Sequence, residues 1–257
     1  GGDAGGMNVY VRELVAALAH GGADTTVYVR RWRDDLPKRL AVEPGFEVVH
    51  IDAGDPNLSK EQLPGIVDEF ADGVRAHLAI DPADVLHANY WLSGVVGHRL
   101  KHELDLPMVS TFHTLARVKA ETGDSEPQNR IDAESDVIAC SDIITANSVV
   151  ELHELVRHYG ADPSRIEIVP PGVDRAFFSL GSRRGARQAL GLGDEPVLLF
   201  VGRIQPLKGV DVAVEAMSRL RDPQARMLIV GGSSGTEGDD HAAEVRDLMT
   251  DRGLDDR

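Results

Sequence analysis

The sequence has little cysteine, no long hydrophobic run and no excess of positive charge, and each absence excludes a class of protein. Cys140 is the single cysteine, so an intrachain disulfide is excluded and a reducing compartment such as the cytoplasm is favoured. No apolar segment approaches the roughly 20 residues that a membrane-spanning helix needs. The formal net charge of −15 argues against nucleic acid or an anionic membrane as the main partner. We therefore expect a soluble cytoplasmic protein whose anion sites are local cationic pockets.

The composition is that of a folded protein, because 42% of the 257 residues are hydrophobic. This length accommodates one large or two ordinary domains. The chain begins at Gly1 without a methionine and stops at Arg257 after a helix-like segment. We interpret it as a fragment, so that a lost targeting signal stays open.

Strand-like and helix-period segments alternate along the chain, which predicts an α/β protein with parallel sheets covered by helices. The proline- and glycine-rich stretch 170–193 separates two such series. We predict an N-terminal domain over 1–178, a linker over 179–193 and an incomplete C-terminal domain over 194–257. The predicted strands are 25–30, 47–51, 85–88, 108–112, 143–146, 166–169, 197–201 and 227–231, and the main helices cover about 11–18, 63–74, 92–104, 149–159, 209–220 and 241–252.

Two cations follow the predicted strand 197–201 and its terminal glycine, directly before a helix. Arg203 and Lys208 would lie at the carboxyl end of a parallel strand, where open α/β sheets bind ligands. The N–H groups at a helix N-terminus favour anions, and two fixed cations suit a diphosphate. The alternative is that both are ordinary solvated surface cations.

Polar side chains follow other predicted strands and the glycine-rich start. Tyr90 and the pair His113 and Thr114 come after consecutive strands, so they are expected at one edge of the sheet. Either His87 or His113 alone is as well explained by a structural role. The paired glycines before the first helix suit a phosphate but do not match GxGxxG, and Asn8 is either a cap or a ligand contact.

Two histidines invite a metal interpretation that the sequence does not support. His98 and His102 are four residues apart on a predicted helix, as zinc ligands are. Glu103 is misplaced for an HExxH motif, and no third ligand is evident in the sequence. We therefore predict no metal site.

Five segments in a fixed order resemble a known family. Together they resemble a retaining glycosyltransferase of family 4, which implies the GT-B fold of two Rossmann-like, doubly wound parallel-sheet domains with a cleft between them. The nearest members move N-acetylglucosamine from UDP-N-acetylglucosamine to 1D-myo-inositol 3-phosphate in mycothiol biosynthesis, and sucrose and sucrose-phosphate synthases are more distant. The segments are Gly5–Tyr10, His87–Gly94, Thr111–Leu115, Pro171–Asp174 and Gly202–Gly209.

The resemblance implies a role for each matching residue. Arg203 and Lys208 would hold the donor diphosphate and act in catalysis, with the loop of Gly5 and Gly6 closing over the donor. His113 would lie beside the transferred sugar as a further catalytic residue. No cofactor and no metal are implied for the reaction. The residues implied for the acceptor are Asn8, Lys60, Tyr90, Thr114 and Arg130, the last four around its phosphate.

The sequence departs from the family pattern at both ends and leaves alternatives open. The family's pair of glutamates in the C-terminal domain would lie beyond Arg257, and the first strand is missing, so we expect the fragment to be inactive alone. One alternative is a family 4 enzyme with another acceptor, such as a sugar phosphate or a lipid-linked glycan. Another is a nucleotide-binding or oxidoreductase module, which would need a GxGxxG turn, or a non-catalytic scaffold. A homodimer is left open.

Overall fold

The computed structural model describes residues 6–121, 123, 126–233 and 238–257, with only the backbone of Leu207. The chain divides into two compact units, one ending at Gly172 and one running from Val173 to Arg257. The division falls six residues before the predicted end of the N-terminal domain at residue 178. In the described ranges, no helix is both long and apolar enough to span a membrane.

The N-terminal unit is built on two sheets. In the first sheet, of order β1-β3-β2, β1 pairs with β3 in parallel and β2 pairs with β3 antiparallel. The second sheet has the order β4-β5-β6-β7 and is parallel throughout. The strands are β1 (Thr25–Arg30), β2 (Arg39–Glu43), β3 (Phe46–Ile51), β4 (Leu86–Asn89), β5 (Met108–Thr111), β6 (Ile143–Ala146) and β7 (Ile166–Ile168).

Helices connect the parallel strands of this unit. A 3-10 helix over Lys60–Ile66 precedes α2 and contains Pro64, whose missing N–H cannot join an α-helical ladder. The Ser148 hydroxyl accepts the Glu151 N–H at the start of α6, and Gly160 ends that helix in the left-handed conformation. The helices are α1 (Gly6–His20), α2 (Val67–Leu78), α3 (Trp91–Leu104), α4 (Ala116–Glu121), α5 (Gln128–Cys140) and α6 (Val149–Tyr159).

The core of the N-terminal unit lies between the sheets and these helices. Met108, Ile144 and Leu155 are fully buried in a cluster that β5, β6 and α6 share. Helices α3 and α5 approach each other closely at Gly94, where an added Cβ would lie 2.8 Å from Val137. This glycine therefore sets the spacing between α3 and α5.

In its described residues, the C-terminal unit contains one parallel pair of strands with helices around it. Its elements are α7 (Arg183–Ala189), β8 (Val197–Val201), the 3-10 helix Pro206–Lys208, α8 (Val210–Ser218), β9 (Arg226–Val230) and α9 (Gly238–Asp251). Val210, Val214 and Met217 of α8 are buried against Val245 of α9.

The predicted α/β class and parallel pairing are confirmed. All eight predicted strands are present within two residues of their predicted bounds. Strand β2 and helices α4 and α5 were not predicted from the sequence. Helix α7 lies within the stretch that we predict to be the linker. The glycines at 181, 185, 191 and 193 are typical of a loop, but Ser182 caps a short helix there.

Candidate active site

The carboxyl ends of β4 and β5 lead into two residues with unusual backbone conformations. Tyr90 follows β4 with φ 79°, and His113 follows β5 with φ 62°. A positive φ strains a residue with a bulky side chain, and such residues cluster at functional sites. The backbone N–H of Tyr90 donates to the carbonyl oxygen of Thr111 at 2.8 Å, which ties the two strand ends together.

His113 is held as a neutral imidazole. Burial first, and then the charge of His87, lowers its pKa to about 4. Its Nε2 lies 3.0 Å from the side-chain oxygen of Asn89, which can only accept, so Nε2 carries the proton and donates it. The ring of Tyr10 packs edge-on against the imidazole, with the two ring centroids 4.9 Å apart. At neutral pH His113 is therefore a polar contact and not a cationic acid.

Hydrogen bonds between side chains connect three neighbouring strand ends. Nε2 of His87 on β4 lies 2.8 Å from the hydroxyl oxygen of Thr111 on β5. That hydroxyl also bonds to the hydroxyl of Thr145 on β6. These bonds link β4, β5 and β6 below the residues that carry the side chains of Tyr90 and His113.

Arg130 is the centre of a buried ionic group beside this platform. Its side chain is only 5% exposed, its Nε lies 2.8 Å from Glu134, and its Nη1 lies 3.0 Å from Glu126. Its Nη2 donates to the hydroxyl oxygen of Thr114 at 3.0 Å, and its guanidinium stacks 5.4 Å from the ring centre of Tyr90. The structure therefore brings together Arg130, Thr114 and Tyr90, three of the residues that the resemblance implies for the acceptor.

Two glutamates complete the group and were not predicted. Glu134 is fully buried, and its Oε2 accepts the backbone N–H of Ala116 at 2.9 Å and the hydroxyl of Tyr159. Glu126 also pairs with Lys119. The four-residue spacing of Arg130 and Glu134 was the available signal, because residues at that spacing share one helix face, whereas Glu126 lies just before α5.

For the other residues implied in substrate binding, the structure shows fewer contacts. Gly5 lies outside the described residues, and Gly6 is the first residue of α1. Asn8 is exposed in the same turn of α1, two residues before Tyr10, which contacts His113. Lys60 is exposed at the start of its 3-10 helix, and among the described contacts none joins it to Arg130.

The residues predicted for the diphosphate lie at the strand ends of the C-terminal unit. Arg203 follows β8 and Gly202, and the N–H of Ile204 donates to the carbonyl of Gly232 at 3.0 Å. Lys208 ends the 3-10 helix, and Gly209, with φ 66°, starts α8 without a side-chain cap. The N-cap residue Gly209 thus offers no side chain to the first N–H groups of α8, which suits an anion.

Gly231 keeps this strand end in place. A Cβ at that position would lie 1.8 Å from the carbonyl oxygen of Gly202, which leaves room for no side chain. The glycine therefore lets the backbone after β9 approach the residue before Arg203. Gly231 was not predicted from the sequence, because a glycine after a strand is equally typical of an ordinary turn.

Comparison with known families gives the arrangement its context. The model described as Glycosyltransferase Family 4 matches residues 4–177. The chain belongs to this family. The model described as Glycosyl transferases group 1 matches residues 182–257. The resemblance stated from the five segments is therefore confirmed.

Individual relatives of this family 4 member agree with that assignment. The D-inositol 3-phosphate glycosyltransferase of Actinosynnema mirum is 44% identical over 91% of this chain and 60% of the relative. Sucrose-phosphate synthase from Thermosynechococcus elongatus superposes with a TM-score of 0.86 at 28% identity, over 98% of this chain and 64% of that one. Anabaena HepE in complex with UDP-glucose shares the fold, with a TM-score of 0.71 at 18% identity over 100% of this chain and 65% of that one. The chain thus spans about 60% of the curated relative's length.

Proposed function

We propose that the full-length protein is a retaining glycosyltransferase that moves N-acetylglucosamine from UDP-N-acetylglucosamine to 1D-myo-inositol 3-phosphate. The observation that carries the proposal is the group of Arg130, Thr114 and Tyr90 at one sheet edge, in a chain 44% identical to a D-inositol 3-phosphate glycosyltransferase. The activity is proposed for the whole protein, because this chain spans about 60% of the relative's length.

The donor is proposed to bind through its diphosphate at Arg203, Lys208 and the start of α8. The neighbour HepE was solved with UDP-glucose, and the group at the end of β8 offers the charge that a diphosphate needs. When the sugar leaves, negative charge grows on the terminal phosphate. Cations fixed beside that phosphate stabilise the transition state more than the bound donor, which accelerates the step.

The reaction is proposed to proceed on one face of the sugar. The bond between the anomeric carbon and the phosphate oxygen breaks, and the acceptor hydroxyl oxygen forms its bond to that carbon from the same side. The proton of the hydroxyl passes to the leaving phosphate. His113 is proposed to contact the transferred sugar as a neutral imidazole, since burial keeps its pKa at about 4. The step needs no metal and no cofactor.

The acceptor phosphate is proposed to replace Glu126 between Lys119 and Arg130. In the structure Glu126 binds both cations, while Glu134 holds Arg130 from the other side. These four charges sum to zero, so the group attracts an anion only when Glu126 moves away or another cation joins. Lys60 is proposed to supply that additional charge, and Asn8 to contact the inositol ring.

The proposal is tested by assaying the full-length protein with UDP-N-acetylglucosamine and either inositol 3-phosphate or unphosphorylated myo-inositol. We expect release of UDP and formation of the glycoside only with the phosphorylated acceptor. Turnover with fructose 6-phosphate or a lipid-linked glycan instead would assign another family 4 reaction. Calorimetric binding of NAD without binding of UDP would identify a nucleotide-binding module, and binding of neither would identify a scaffold.

We expect Lys60→Gln to raise the KM for inositol 3-phosphate by about tenfold, because a charge-assisted hydrogen bond contributes roughly 1.5 kcal/mol or more. The kcat and the KM for the donor should change little. Lys38→Gln is the matched control, since Lys38 is also exposed but is not implied in binding. An unchanged acceptor KM in Lys60→Gln would remove Lys60 from the acceptor site.

We expect Glu126→Gln to lower the acceptor KM by about two- to fivefold, which corresponds to roughly 0.4–1 kcal/mol, because an anion that competes with the acceptor phosphate is removed. The amide keeps the shape of the side chain but no longer competes as an anion for Lys119 and Arg130. Glu121→Gln, in the nearby helix α4, is the control. A raised KM would show that Glu126 supports the site instead of occupying it.

Location and assembly complete the proposal. We propose a cytoplasmic protein, in agreement with its single cysteine, Cys140. A homodimer is a further proposal, which light scattering of the full-length protein tests directly.

A further inference from the structure

Three potential metal ligands meet where the C-terminal half of α3 packs beside the end of α5. His98 and His102 lie one turn apart on the same face of α3, with ring centroids 5.1 Å apart. Cys140 is the last residue of α5, and its Sγ lies 3.0 Å from Nε2 of His102. The ligand atoms of these three residues all lie within 4.8 Å of one another. The third ligand that the sequence did not reveal is thus supplied by another helix.

We infer that His98, His102 and Cys140 bind one divalent cation of borderline softness, of which Zn²⁺ fits best. Two imidazole nitrogens and a thiolate are donors that zinc prefers, whereas Ca²⁺ and Mg²⁺ prefer oxygen. Zinc bonds of about 2.0–2.3 Å place tetrahedral ligands roughly 3.3–3.6 Å apart. Small side-chain rotations bring the three atoms to that spacing, and a water completes the shell.

The charges around the three residues suit a cation. Lys101 lies beside them, but its ammonium is paired with Asp142. Asp136 is exposed one turn before Cys140 on α5, and its charge acts on His98.

A second group of potential ligands among the described residues is a weaker candidate. Glu47, His77 and Asp81 also place their ligand atoms within 4.8 Å of one another. However, Nδ1 of His77 lies 3.0 Å from the hydroxyl of Tyr28, and Arg39 lies 2.8 Å from Glu47 and 3.9 Å from Asp81. Because its carboxylates already pair with the guanidinium of Arg39, this group attracts a cation less strongly.

The inferred metal would connect two helices at the ends opposite to the candidate acceptor residues. Helix α3 begins directly after Tyr90, and α5 begins two residues before Arg130. A metal at His98, His102 and Cys140 would hold the far ends of α3 and α5 together and stabilise their packing. Such a metal site would be structural and would not take part in the proposed reaction.

The test is titration of the metal-free protein with Zn²⁺ and, separately, with Co²⁺ as a spectroscopic probe. We expect one Zn²⁺ per chain, and a Co²⁺ form with a thiolate-to-metal absorption band in the near ultraviolet. Cys140→Ser should abolish that band, and His102→Gln should weaken binding by at least about tenfold. His153→Gln, an exposed histidine of α6, should change neither.

Absence of the thiolate band, or its persistence in Cys140→Ser, would overturn the inference. Binding that His77→Gln removes and Cys140→Ser leaves intact would assign the metal to the second group instead. A measurement on the unaltered protein guards against misfolded variants: Zn²⁺ should slow alkylation of Cys140 by iodoacetamide. Equal alkylation rates with and without saturating Zn²⁺ would also overturn the inference.

Discussion

Arg203→Ala in the full-length enzyme is expected to lower kcat by about 100-fold or more, with a much smaller change in the KM for the donor. Removing one group that is fixed against developing charge typically costs roughly 2.7–4 kcal/mol of transition-state stabilisation. Arg203 lies directly after β8 and Gly202, on backbone that is tied to the residues after β9. Its position is therefore built into the sheet, which is the condition for a large electrostatic effect on the leaving phosphate.

The control for this prediction is Arg246→Ala, which removes an exposed arginine from α9 of the same unit. Steady-state rates of UDP release, measured at several donor concentrations, separate the effect on kcat from that on KM. Arg203→Lys should keep part of the rate because it retains the charge but loses the planar fork of donors. A kcat within about threefold of the unaltered enzyme in Arg203→Ala would contradict a role in stabilising the leaving group.

The layout of the strands could be predicted because it depends on local patterns. The hydrophobic runs at β5, β6 and β8 are short, bounded by turn residues and separated by helix-period segments. Since parallel strands end at one edge of a sheet, the positions of His113 and Arg203 at strand ends follow directly from those runs. The sequence therefore predicts which residues lie at these edges.

The contacts around Arg130 could not be predicted in the same way, because they join segments that are distant in the chain. Helix α5 is rich in polar residues, and its weak apolar pattern gave no helix prediction. Its buried Glu134 is explained by three partners, namely Arg130, the backbone N–H of Ala116 and the hydroxyl of Tyr159, which is 25 residues away. The proximity of Cys140 to His98 and His102 could not be predicted for the same reason, because it depends on the packing of α5 against α3.

Arg130→Met is expected to destabilise the N-terminal unit by about 3–5 kcal/mol. Glu134 is fully buried, and removing its cation leaves a carboxylate that is desolvated but no longer neutralised. Both tryptophans of the chain, Trp32 and Trp91, lie in this unit, so the change in their fluorescence during urea unfolding reports its stability. A loss below about 1 kcal/mol would show that the pair contributes little.

The double variant Arg130→Met with Glu134→Gln separates the structural role of Arg130 from its proposed role in binding the acceptor. The amide introduced by Glu134→Gln carries no charge and can still accept the N–H of Ala116, so we expect it to recover about 2 kcal/mol of the lost stability. If Arg130 also contacts the acceptor phosphate, the recovered protein should keep a raised KM for inositol 3-phosphate. Recovery of both stability and KM would mean that Arg130 acts only through the fold, and the phosphate would then depend on Lys60 and Lys119.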